Sequence, residues 1–170
     1  MKKMTALLLL MALLLCGCGE RDTAFTDTVT FYYPRADIIY GSADGVIAPE
    51  EREASISGNP LEENLSIYLS GPKAEGLENP FPPGTMLLSL RQEEGELTVV
   101  LSDVFFAMDG IELTVACASL AKTCFSLTEA TEMTLCSGDN EERITINRES
   151  FLYFDESDAI EMTIGTEPAA

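Results

Sequence analysis

The side chains with chemistry to offer are five cysteines and 29 carboxylates, and no histidine accompanies them. Cys117 and Cys124 stand seven residues apart. Along a helix that separation is roughly 10 Å, too far for a disulfide, whose α-carbons lie within about 7 Å. Cys136 falls in the next extended stretch and could face them, although small thiols packing as hydrophobes are the expected state. Without an imidazole, no thiol has the usual partner for nucleophilic catalysis. Among so many acids, a pair at glycosidase-like separation arises by chance, so the carboxylates alone do not argue for a hydrolase. Asp37 and Asp44, or Asp139, Asn140 and Glu141, supply oxygens suited to calcium but follow no calcium-loop template. Ser42-Ala43-Asp44-Gly45 and Ser137-Gly138-Asp139-Asn140 read instead as turns. The expectation is a chain with no catalytic residue, no cofactor and no metal.

One cysteine has a different role. Lys2 and Lys3 precede an apolar run, Met4–Leu15, whose length of about twelve residues suits a secretory signal and is short of the roughly 20 a spanning helix needs. It ends in Leu15-Cys16-Gly17-Cys18, which resembles the lipobox of bacterial lipoproteins. The resemblance implies cleavage after Gly17 and lipidation of the Cys18 thiol. Cys16 competes less well, because Leu15 is too large for the small-residue position before a cleavage site. The formal charge of −19 argues against nucleic acid and against electrostatic docking on anionic lipid, both of which need clustered Lys and Arg. Anchoring at the membrane therefore has to come from acyl chains.

The elements that build the rest are legible from periodicity. The stretch Asp109–Thr128 predicts a helix with a seam of Leu113, Cys117, Leu120, Cys124 and Leu127, widened by Ala116 and Ala121. Glu112, Ser119, Lys122, Thr123 and Ser126 would fill its solvent face. Asp109 as N-cap with Glu112 three residues on predicts a capping box. A shorter helix starts at Asn59-Pro60, buries Leu61, Leu65, Tyr68 and Leu69, and ends at Gly71-Pro72. Thr28–Tyr33 reads as a strand stopped by Pro34, with Ile38–Tyr40 continuing after a bend, and Val46–Ile56 as an exposed edge piece. Thr85–Leu90 and Glu96–Leu101 form a hairpin around Glu94-Gly95, in which Leu97, Val99 and Leu101 alternate inward. Met133–Cys136, Ile144–Ile146 and Phe151–Phe154 would close the sheet. Tyr32, Tyr33, Phe105 and Phe106 are candidates for a partner-facing patch; since adjacent strand residues point to opposite faces, exposure of Tyr33 or Phe106 would mark it.

In order and spacing, these landmarks resemble the GerMN domain of the GerM-type sporulation and germination lipoproteins. The residues that carry the likeness are Val29-Thr30-Phe31-Tyr32-Tyr33-Pro34, the helix ending Leu69-Ser70-Gly71-Pro72, and Pro82-Pro83-Gly84-Thr85 leading into Leu87-Leu88-Ser89. Leu97-Thr98-Val99-Val100-Leu101-Ser102 and Phe125-Ser126-Leu127-Thr128-Glu129 complete it. The likeness spans Thr28–Gly138 in a single copy. It implies an α+β fold with two helices on one face of a small mixed sheet, similar to the ring-building modules of secretion-type assemblies. The domain plan is residues 1–17 signal peptide, 18–27 tether, 28–154 GerMN-like domain and 155–170 acidic tail. The function implied is that of a lipid-anchored, extracytoplasmic scaffold, not an enzyme. Its partners would be the membrane through lipidated Cys18 and an envelope or sporulation-complex protein, with self-association a further option. The competing classes are a solute- or cation-binding lipoprotein and, from the carboxylates alone, a cell-wall hydrolase.

Overall fold

The computed structural model describes residues 28–37, 45–55, 58–139 and 141–149. The signal segment with Cys18, the strand expected at Ile38–Tyr40, most of the turn at 42–45, the strand at Phe151–Phe154 and the acidic tail lie outside those residues. Among the described residues the named elements follow in the order β1 (Thr28–Pro34), β2 (Ile47–Glu53), α1 (Pro60–Leu69), β3 (Leu87–Glu93), β4 (Glu96–Leu101), α2 (Gly110–Leu127), β5 (Glu132–Cys136) and β6 (Arg143–Asn147). A 3-10 turn at Phe105–Ala107 leads into α2. The architecture is the α+β class that the resemblance implied, and its strands divide between two sheets. β1 and β2 form an antiparallel ribbon, and β3-β4-β5-β6 form a mixed sheet in which β4 and β5 run parallel.

Local chemistry explains the elements. β3 and β4 meet at Glu94 (φ 46) and Gly95 (φ 89), the pair of left-handed residues that a two-residue hairpin turn requires. The parallel step from β4 to β5 needs a crossover, and α2 supplies it. On the face of the sheet toward the helices, Leu90, Val99, Leu135 and Ile144 are cross-strand neighbours, and so are Leu97, Met133 and Ile146. Leu97, Val99, Leu101, Met133 and Leu135 are buried there, each worth about 1.5–3 kcal/mol in area removed from water. The opposite face presents Thr98, Thr134 and Thr145 in one row, with Thr134 and Thr145 hydroxyls 3.3 Å apart.

The seam of α2 packs as its spacing predicted: Cys117, Leu120 and Cys124 are buried, while Leu113 and Leu127 are half-buried against the same core. The polar face departs from expectation. Ser119 and Thr123 are fully buried, because β1 lies along that side of the helix. The Tyr32 N–H donates to Thr123 Oγ1 (2.9 Å), and the Ser126 hydroxyl sits 2.8 Å from the Thr30 carbonyl. From α1, the Tyr68 hydroxyl donates to the Tyr32 carbonyl (2.9 Å). Helix side chains thus satisfy the free edge of β1, which would otherwise present unpaired backbone groups. The capping box is also corrected. Asp109 occupies the N-cap position but its carboxylate makes no capping bond; its carbonyl accepts from the Leu113 N–H (3.3 Å). Gly110 begins the helix at φ 55, an irregular start.

Candidate functional site

Among the described residues the chemically capable side chains do not converge. Cys117, Cys124 and Cys136 are buried free thiols. Burial pushes the Cys117 thiol up to about 12 and raises that of Cys124 as well, so neither supplies a thiolate at neutral pH. Among the described residues no three Cys, Asp or Glu side chains gather at metal-binding distance. Asp139 serves its turn: it accepts from the Ser137 hydroxyl (2.5 Å) and the Glu141 N–H (3.0 Å). Those bonds, Ser137 foremost, hold its carboxyl below the usual carboxylate range. Of the aromatic candidates, Tyr33 is not exposed but fully buried, as is Phe105. Tyr33 shares a strand face with Phe31, stacks on Tyr68 (ring centroids 4.8 Å apart) and donates to the Tyr68 carbonyl (2.7 Å). Tyr32 and Phe106 are half-buried; Lys122 Nζ lies 5.1 Å over the Tyr32 ring.

Two surface features are built rather than incidental. The first is a charged depression where β2 meets the end of α1. Arg52 grips Glu50 with Nε to Oε1 at 3.0 Å and Nη2 to Oε2 at 3.1 Å, and its Nη2 also reaches the Gly71 carbonyl (2.7 Å). The Lys73 N–H closes on Glu50 Oε1 at 3.0 Å, and the guanidinium lies 5.3 Å from the Phe31 ring centre. Burial alone would raise the Glu50 carboxyl, but the Arg52 and Lys73 hydrogen bonds outweigh it and hold the group low. The Glu50 carboxylate and the Arg52 guanidinium are matched to one another, a structural rivet joining β2 to the end of α1.

The second is a shallow groove of about 400 Å³ between the loop 78–82 and the first turns of α2. Phe81, Pro82, Met108, Ile111 and Val115 form its apolar walls, and Glu78 and Glu112 lie on it. Ile111 is 54% exposed although it belongs to a helix, and Phe81 is 5% exposed at the base. The loop wall is fixed: the Glu78 N–H donates to the Pro34 carbonyl (2.9 Å), the Phe81 N–H to Asn79 Oδ1 (3.1 Å), and the Asn79 amide to the Leu69 carbonyl (3.4 Å). Sequence reasoning missed this groove, since its parts come from β1, a loop and a helix. The signal that could have found it is Ile111, an aliphatic residue off the Leu113–Leu127 seam.

A third feature is an exposed apolar cluster at the opposite end of the hairpin. Met86, Leu88 and Val104 are 58%, 50% and 41% exposed. They surround the pairing of Met86 with Ser102 and the bond from the Gly138 N–H to Asp103 Oδ1 (3.0 Å).

Comparison with known families gives a match between residues 30–142 and the model described as Germane: Sporulation and spore germination. Among solved structures, the chain is similar to the first GerMN domain of the sporulation protein GerM from Bacillus subtilis. The TM-score is 0.52 at 16% identity, over 67% of this chain and 86% of that one. It is also similar to the tandem GerMN domains of the same protein (TM-score 0.51, 16% identity, 77% of this chain), of which it spans about half the length, 48%. No curated protein matches the chain.

Proposed function

The chain belongs to the Germane family of sporulation and spore germination proteins, and from that premise we propose that it is a lipid-anchored, non-enzymatic scaffold that docks an envelope protein during spore formation. The observation that carries this reading is the groove beside α2, whose walls are aliphatic, aromatic and proline side chains held by backbone hydrogen bonds. Such a surface suits the docking of a peptide chain.

The anchor rests on Leu15-Cys16-Gly17-Cys18. Lipidation of Cys18 would place acyl chains at the start of a ten-residue tether, 18–27, which fully extended reaches roughly 30 Å. One acyl chain holds a protein only marginally and two or more hold it firmly. The acidic domain would be repelled by anionic headgroups, so the tether keeps it clear of the membrane surface and presents it to a partner on the extracytoplasmic face.

Cell fractionation of the full-length protein beside its Cys18→Ser variant tests the anchor. The unmodified protein should follow the membranes and take up a metabolic fatty-acid label, and the variant should lose both. A variant that stays with the membranes and carries the label would overturn lipidation at Cys18.

A further inference from the structure

The groove has a definite chemistry. Its walls are mostly apolar, with Asn79 among them, and the only charged side chains lining it, among the described residues, are Glu78 and Glu112. Both are exposed, and no ion pair involves either among the described residues. In the depression over β2, by comparison, Glu50 is gripped by the Arg52 guanidinium and accepts the Lys73 backbone N–H, while Glu51 and Glu53 beside it form no ion pair among the described residues. The fold thus neutralises the buried Glu50 with a guanidinium and leaves the exposed Glu78 and Glu112 beside Ile111 without an ion pair among the described residues.

We propose that this groove docks an extended segment of a partner protein that seats an aliphatic side chain against Ile111, Phe81 and Met108 and brings a Lys or Arg to Glu78 and Glu112. This deepens the scaffold reading and rests on it. Charge selects the occupant. A second copy of this chain carries a formal charge of −19, and the chain's own residues 155–170 include Asp155, Glu156, Asp158, Glu161 and Glu167 with no Lys or Arg. Anionic lipid is disfavoured by the same sign. A basic, apolar segment is favoured on both counts, and complementary charge speeds its encounter and fixes its register. The wall is already rigid, with prolines at 80 and 82 and hydrogen bonds through Glu78, Asn79 and Phe81, so little conformational entropy is lost when the segment seats.

The experiment places a benzophenone amino acid at Ile111 of the full-length protein in cells and, in a separate strain, at Glu141 in the turn after β5. After irradiation, the crosslinked peptides are sequenced by mass spectrometry. The Ile111 probe should label one segment of one partner, an aliphatic residue flanked by Lys or Arg. Reversing both groove charges (Glu78→Lys with Glu112→Lys) should lower that yield roughly tenfold or more, and Glu78→Gln with Glu112→Gln should lower it less. These side chains are exposed, so circular dichroism should show both double variants folded, with the Lys variant melting only slightly lower because Glu112 stands in the first turn of α2. Adducts to lipid, to another copy of this chain or to residues 150–170 would overturn the proposal, as would a yield indifferent to both double variants. Capture of a partner from position 141 but not from 111 would sink the groove while leaving the scaffold reading intact. Capture from neither would sink both.

Discussion

The backbone N–H of Tyr32 donates to the side-chain oxygen of Thr123 at 2.9 Å, across 91 residues of sequence. The Tyr68 hydroxyl completes the arrangement by donating to the Tyr32 carbonyl, so both polar groups of one strand residue are satisfied by helices. Thr123→Val keeps the shape and removes the acceptor. It should cost about 1–3 kcal/mol, the penalty of a buried amide left unpaired, in a denaturant unfolding curve. One turn earlier on the same face, the Ser119 hydroxyl is buried without a partner among the described residues. Ser119→Ala should therefore leave stability unchanged or raise it. Equal losses at both positions would mean that burial alone, not the Tyr32 bond, accounts for Thr123.

The α2 seam, the Glu94-Gly95 turn, the Asn59-Pro60 start of α1 and the inward alternation of Leu97, Val99 and Leu101 were all legible in the sequence. Each depends on neighbours within a few residues. The misreadings were long-range. Ser119 and Thr123 looked like a solvent face because hydroxyls usually are, and only the approach of β1 makes them interior. Tyr33 and Tyr32 were correctly assigned to opposite faces, but which one was buried depended on where α1 would bring Tyr68. The groove was invisible for the same reason: Pro34, Phe81 and Ile111 meet only in the fold.

Arg148, just past β6, is a second long-range device. Its Nε donates to the Ala130 carbonyl (2.7 Å), its Nη2 lies 2.8 and 2.6 Å from the Phe125 and Thr128 carbonyls, and the guanidinium stands 4.9 Å from the Phe125 ring centre. The last turn of α2 has no basic residue of its own, so this side chain supplies the cation favoured at a helix C-terminus. Arg148→Met should lower stability by about 1.5–3 kcal/mol. Arg148→Lys should recover only part of that, because an ammonium cannot fork between three carbonyls. Full recovery with lysine would contradict the geometric reading.

The Glu50–Arg52 rivet predicts an acid limb. The folded carboxyl titrates below its ordinary 4.5. Its contribution to stability is therefore fully present above about pH 4.5 and is lost as the pH falls through the folded value. Unfolding free energy should drop on the acid side, and Glu50→Gln, already uncharged, should show a shallower drop. Identical slopes for the two proteins would assign the acid sensitivity to other carboxylates.

Gly71 ends α1 at φ 97, and a Cβ there would meet the Asn79 side chain at 3.0–3.2 Å. Gly84 has a similar φ of 93 with open space around it. Gly84→Ala should cost only the left-handed backbone, about 1–2 kcal/mol. Gly71→Ala should cost more, since Asn79 must also release the Leu69 carbonyl and loosen the groove wall. The two melting temperatures, measured side by side, check the difference.

As a docking module, the protein should hold its partner at the envelope of the sporulating cell. In-cell crosslinking of a tagged full-length protein, read by mass spectrometry in growing and in sporulating cells, tests it most directly. An envelope-complex protein should be recovered from sporulating cells and be absent from growing ones. The same wall-synthesis proteins in both samples, or no protein in either, would contradict it.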